Sequence, residues 1–187
     1  MTLLDTLVPT YLQMLKALSA WLDKAETQSP DDAAALLARR LAPDMFPLAT
    51  QVRFACVQAL EGVCRLSGRP FPADVDALLE EGRDAGSHPG SMADARARIA
   101  ETLAQVEAIA ADAPDVPSQT PIAHALPSGM VFDLSAEQYV RDWALPQFYF
   151  HVMAAYAVLR ASGVGLGKAD YVAHMFAFLR PGTMPGS

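Results

Sequence analysis

Basic residues are the scarcer charge in this 187-residue chain, with 14 Lys and Arg against 21 Asp and Glu and a formal charge of -7. Gripping a phosphate backbone needs a positive field, so nucleic acid is not an expected partner. Long apolar runs are missing as well. Charged or polar residues interrupt every helix-like segment before the roughly 20 apolar residues of a bilayer span, and no membrane partner is expected. The opening MTLLDTLVPTYLQMLK carries no basic region ahead of its apolar residues, Asp5 breaks them, and no small-residue cleavage site follows, which makes the cytoplasm the expected location. Cysteine is nearly absent. Cys56 and Cys64 lie eight positions apart on one predicted helix, or about 12 Å at a rise of ~1.5 Å per residue, beyond the ~7 Å that disulfide Cα atoms span. Two buried, inert thiols are the expectation.

Catalytic signatures are equally sparse. No GxSxG nucleophile elbow occurs, which leaves serine-hydrolase chemistry unsupported. Gly163, Gly165 and Gly167 precede Lys168 in GVGLGKAD, but the segment follows a helix and lacks the spacing of a phosphate-binding loop. A helix end, a turn and a new helix start account for it. The paired carboxylates Asp31-Asp32 and Glu80-Glu81 fall at helix ends or on polar faces, where dipole compensation or solvation suffices. His88, His124, His151 and His174 include no i, i+4 pair. There is no internal repeat and no low-complexity tract.

What the chain has in abundance is hydrophobicity, 52 % against 19 % charged residues. That ratio implies a large core or apolar surface buried against a partner, and a homodimer is expected. Leu4, Leu7, Val8, Tyr11, Met14, Leu15, Leu18, Trp21 and Leu22 form one helical stripe. SPDDAAALLARRL predicts a short helix capped by Ser29 with Pro30 in its first position. Val52, Cys56, Ala59, Leu60, Val63 and Leu66 align along a second long helix that stops at Gly68. One short helix around Asp74–Glu81 and a flexible linker follow. Ile99, Leu103, Val106 and Ile109 mark a third long helix. IAHALPSGMVFDL predicts a small hairpin turning at Pro127-Ser128-Gly129. Ser135 and Gln138 have capping-box spacing for the fourth long helix, and a last short helix begins after Gly167.

The fourth helix contains LPQFYFHVMAAYAVLRASG, in which His151 is set among apolar neighbours. Gln147, Ala154, Ala155, Val158 and Ser162 fall in its sector and Arg160 lies opposite, so His151 points inward. The adjoining alanines fit a closely packed helix or the wall of a ligand pocket equally well. A buried imidazole needs hydrogen-bond partners, and Gln147 or Gln51 are the candidates.

MFPLATQVRFA and YVRDWALPQFYFHVMAAYAVLRASGVGLGKADYV resemble an uncharacterised bacterial family of unknown function grouped with the DinB/YfiT-like helical bundles, the pieces FYFH, AAYAVLR and GVGLGKADY being the most specific. The resemblance follows segment order over nearly the whole chain. It implies one domain over residues 1–187: an all-α, DinB-like four-helix bundle of up-down-down-up connectivity, with short extra helices, a small hairpin, and the linker after Gly68 crossing the bundle. The wider superfamily includes metalloenzymes and thiol-dependent transferases, whose metal is held by one histidine of the second long helix and a His-x-x-x-His pair on the fourth. Matching AYAVLRASG to the end of that helix puts His151 on the second member of the pair and Gln147 on the first. The corresponding second-helix region, QVRFA near Arg53 and Phe54, has no histidine. With two of three ligands missing and Arg53 expected to repel a divalent cation, no metal and no cofactor are expected. The resulting expectation is a homodimeric small-molecule-binding or structural domain, with any pocket near His151, Gln147 and Gln51 and with Trp143, Tyr149 and Tyr156 available to line it. The alternative is a metal-dependent transferase or hydrolase in which the fold brings His124 or His174 and a carboxylate to His151.

Overall fold

Thr2 and Asp5 cap each other's backbone amides and start helix α1, Leu3–Gln28, in a computed structural model that describes residues 2–183. Its stripe Leu7, Tyr11, Met14, Leu15, Leu18, Trp21 and Leu22 is buried as the spacing predicts, each leucine contributing about 1.5–3 kcal/mol by leaving water. Ser29 ends α1, its N–H bonded to the Ala25 carbonyl, instead of starting the next helix. A turn at residues 30–32 intervenes, and α2 spans only Ala33–Leu37. The Ser29-Pro30 start signal thus loses to the continuation of a longer, better-packed helix. Helix α3, Leu48–Ser67, is buried nearly all round and stops where Gly68 adopts φ 67°, with Arg69 N–H closing onto the Cys64 carbonyl. Within it Gly62 faces the Tyr11 ring of α1, in space that a Cβ would fill.

The chain returns along α3 as α4, Ala73–Asp84, the short helix expected around Asp74–Glu81 extended at both ends, which leaves only the residues between α4 and α5 as linker. Two observations account for its order. Thr50 donates to the Gly82 carbonyl at 2.7 Å, and the missing side chain of Gly82 lets Phe54 lie against the α4 backbone. Ser91 and Asp94 then form the capping box of α5, Met92–Ala111. The antiparallel strands β1, Pro121–Ala125, and β2, Val131–Ser135, pair His124 with Phe132 and turn at Gly129, φ 88°. The Ser135/Gln138 box begins α6, Ala136–Gln138, as its spacing predicts.

Between α6 and α7, Leu145–Ala161, the helix widens into a π turn over Tyr139–Ala144, where Leu145 N–H reaches the Val140 carbonyl five residues back. Pro146 has no N–H to give to the tighter ladder, and one added residue per turn accommodates it. Beyond Gly163, φ 89°, the buried Val164 and Leu166 lead to α8, Lys168–Tyr171, and a 3-10 turn over Ala173–Phe178. Lys24 and the Trp21 indole of α1 hold α8 through Asp170.

Side-chain links give the direction of each long helix. Gln28 and Gly165 join the ends of α1 and α7, while Arg69 and Asp112 join those of α3 and α5. Arg96 near the start of α5 reaches Asp23 and Glu26 near the end of α1. The order is therefore up-down-down-up, with α3 packed between α5 and α7 and α1 completing the square. This is the DinB-like helical bundle expected, with its small hairpin. Among the described residues no helix is long and apolar enough to cross a membrane.

Candidate functional site

Helices α3 and α7 bring Gln51 and His151 together across the bundle. The His151 Nδ1 lies 2.9 Å from Gln51 Oε1, and since an amide oxygen only accepts, Nδ1 carries the proton and Nε2 the lone pair. Gln51 is itself held, its Nε2 donating to the Phe46 carbonyl at 3.2 Å. The Phe54 ring meets the imidazole edge-on at 5.4 Å and Phe150 does so at 5.2 Å, while Phe46 extends the aromatic row through Phe54. His151 is 8 % exposed. Burial pushes its pKa down to about 4, with no charged neighbour contributing. The imidazole is neutral near pH 7 for that reason.

The other site residues read from the sequence take different positions. Gln147, one turn before His151, is half-buried and has no side-chain hydrogen bond to it among the described residues. Trp143 lies on the π turn with its ring 4.2 Å from that of His124. Tyr156 packs edge-on against Trp21 at 5.3 Å and against Tyr171 at 6.1 Å. The guanidinium of Arg53, expected beside the site, turns to α4, bonding Glu81 at 3.3 Å and the Ala49 carbonyl at 3.2 Å. Arg98 of α5 binds the same Glu81. Two positions along α3 are enough to rotate a side chain from the α7 side of the helix to the α4 side.

His88 is exposed and bonds Asp84 at 2.7 Å, a surface i, i+4 contact. The cysteines are free and buried, and burial pushes the Cys56 thiol up to about 12, which leaves it inert. Among the described residues no three His, Cys, Asp or Glu side chains are grouped so as to hold a metal ion. A second buried imidazole, His124, entered the sequence reading only as a partner that the fold could bring to His151. It is 2 % exposed, and both ring nitrogens lack a partner. Strand alternation held the signal, because Ile122 and His124 share the inward face of β1.

What this geometry can do chemically is hold polar groups in a dry setting: one imidazole oriented by an amide, and another oriented by aromatic rings alone. No curated protein matches the chain significantly. A solved structure, that of a DinB family member protein from Shewanella denitrificans, is similar to it over 99 % of this chain and 94 % of that one, with 33 % identity and a TM-score of 0.71. The model of a domain of unknown function, DUF1993, matches residues 3–172, and the chain belongs to that family.

Proposed function

We propose that this protein is a non-catalytic DinB-like bundle that acts as one domain and binds a small molecule beside the Gln51–His151 pair as a homodimer in the cytoplasm. The observation that supports it best is the Gln51–His151 hydrogen bond. An amide stands opposite the imidazole, which leaves Nε2 one acceptor for a ligand instead of one corner of a three-ligand metal site. Phe46 and Phe150, 50 % and 58 % exposed, flank this pair and offer apolar surface to a ligand or a second protomer. Gln147 is within one helical turn to add an amide contact.

Metal analysis of untagged protein, light scattering, and melting of wild type and His151→Ala with and without chelator test the reading. The expected results are substoichiometric metal, a dimer at tens of micromolar, a lower melting temperature in the variant, and no chelator effect. Stoichiometric metal with a chelator effect confined to the wild type replaces it with the metal-dependent transferase or hydrolase. A strict monomer removes the dimer.

A further inference from the structure

The end of α3, the α4 face and the β1–β2 hairpin enclose a cleft of about 490 Å³ that is separate from the Gln51–His151 pair. His124 and Trp143 form one wall, and Phe71, Arg65 and Glu61 line the side towards α3 and α4. Three polar atoms here have no partner: Nδ1 and Nε2 of His124, and Nε of Arg65. An unpaired buried polar atom is destabilising, and native folds leave few of them without a reason. The Arg65 guanidinium sits 4.9 Å over the Phe71 ring and makes no ion pair among the described residues. Glu61, one turn earlier on α3, makes no ion pair with it among the described residues; burial raises its carboxyl pKa and the Arg65 charge acts against that rise.

We propose that this cleft is a binding site for a small planar carboxylate, whose anion takes the unpaired N–H groups of Arg65 and His124 and whose ring lies against Trp143. The proposal does not rest on the reading of the Gln51–His151 pair. Guanidinium and carboxylate match in plane and charge, and a charge-assisted contact of this kind is stronger than one between neutral groups. A neutral imidazole supplies one donor to the anion and keeps one acceptor for a hydroxyl or ring N–H of the ligand. Flat aromatic walls favour a flat ligand. Among the described residues, the network of Arg53, Glu81 and Arg98 offers no comparable vacancy, since its charges already pair with one another.

The test is an NMR titration of the full chain at pH 7 with 2-naphthoate, using 2-naphthamide as the uncharged counterpart. Saturable shifts are expected at the His124 ring and the Trp143 indole and not at His151 or Trp21, with a Kd below about 1 mM. Arg65→Gln should weaken binding at least about tenfold, as loss of a charge-assisted contact does. Glu61→Gln, a milder change on the same helix, should tighten it. The proposal is overturned by absence of saturation up to about 5 mM, by equal binding of the amide, by unchanged affinity in folded Arg65→Gln, or by a Glu61→Gln variant that binds no tighter. Binding at His124 with no response at His151 supports this site alone, so its outcome and that of the proposed function are read separately.

Discussion

His151 and His124 are buried to a similar degree and burial depresses both to a pKa of about 4, yet one is fully positioned and the other is not. Gln51 takes the proton of His151 and is itself anchored on the Phe46 carbonyl. His124 has rings around it, Trp143, Tyr139 and Phe132, and the Arg65 charge nearby, but no hydrogen-bond partner. Desolvation is the first cause for both, and the Arg65 charge adds to it at His124. The difference lies in hydrogen bonding, and it marks His151 as part of the scaffold and His124 as a group whose partner comes from outside.

The largest effect that could break this contrast is that of pH. Both folded pKa values lie below the ordinary 6.5 of histidine, so the fold favours the neutral rings. Unfolding then takes up protons below 6.5, and stability that is complete above that pH is lost as pH falls towards 4. For His151 the loss is on the order of 3 kcal/mol. Melting curves between pH 7 and pH 4 should show it, and they should flatten in His151→Ala. Side-chain NMR giving either histidine a pKa near 6.5 would falsify the shared desolvation.

Truncation comes next. His151→Ala removes the Gln51 contact and opens a space beside Phe54, and should cost about 1–3 kcal/mol in denaturant unfolding at pH 7. An unchanged or raised melting temperature contradicts the scaffold role.

Gln51→Leu sharpens the comparison by placing His151 in the condition of His124, with its ring nitrogen orphaned. A loss of about 1–2 kcal/mol is expected, together with faster exchange of the His151 ring proton. Should His151 keep its protected proton, another partner holds it.

The smallest effect, and one of opposite sign, belongs to His124→Phe. Removing two unpaired nitrogens while keeping a planar ring should leave stability unchanged or raise it by up to about 1 kcal/mol. A marked fall in melting temperature means that His124 is structural after all.

Much of the architecture was legible because it is local. The stripe from Leu7 to Leu22, the stop at Gly68, the Ser135/Gln138 box and the turn at Gly129 each depend on residues within a few positions of one another. The short helix expected around Asp74–Glu81 is α4, but the start of α2 and the packing of α4 on α3 were not legible. The competition at Ser29 and the closeness of Gly82 to Phe54 depend on segments far apart in the chain. The π turn was missed although Pro146 is its signal, since the fourth helix was expected to run unbroken from the Ser135/Gln138 box through Pro146, and periodicity does not say how a helix accommodates a proline. Of the candidate site, the inward direction of His151 was readable from helical periodicity, but its choice of Gln51 over Gln147 was not.

By itself, then, the sequence determined that four long amphipathic helices form, that one stops at Gly68 and another starts at the Ser135/Gln138 box, and that there is neither a strong positive field nor an apolar run long enough for a membrane span. Those properties follow from spacing, capping chemistry and charge, which act over a few residues or over the whole composition. Tertiary structure alone decided that α4 packs on α3, that Arg53 turns to Glu81, and that His124 rather than Gln147 or Tyr156 faces a cleft with its polar atoms unpaired. The physical reason is that hydrogen-bond satisfaction and desolvation depend on which side chains meet across distant segments, and that is known only once the helices have packed.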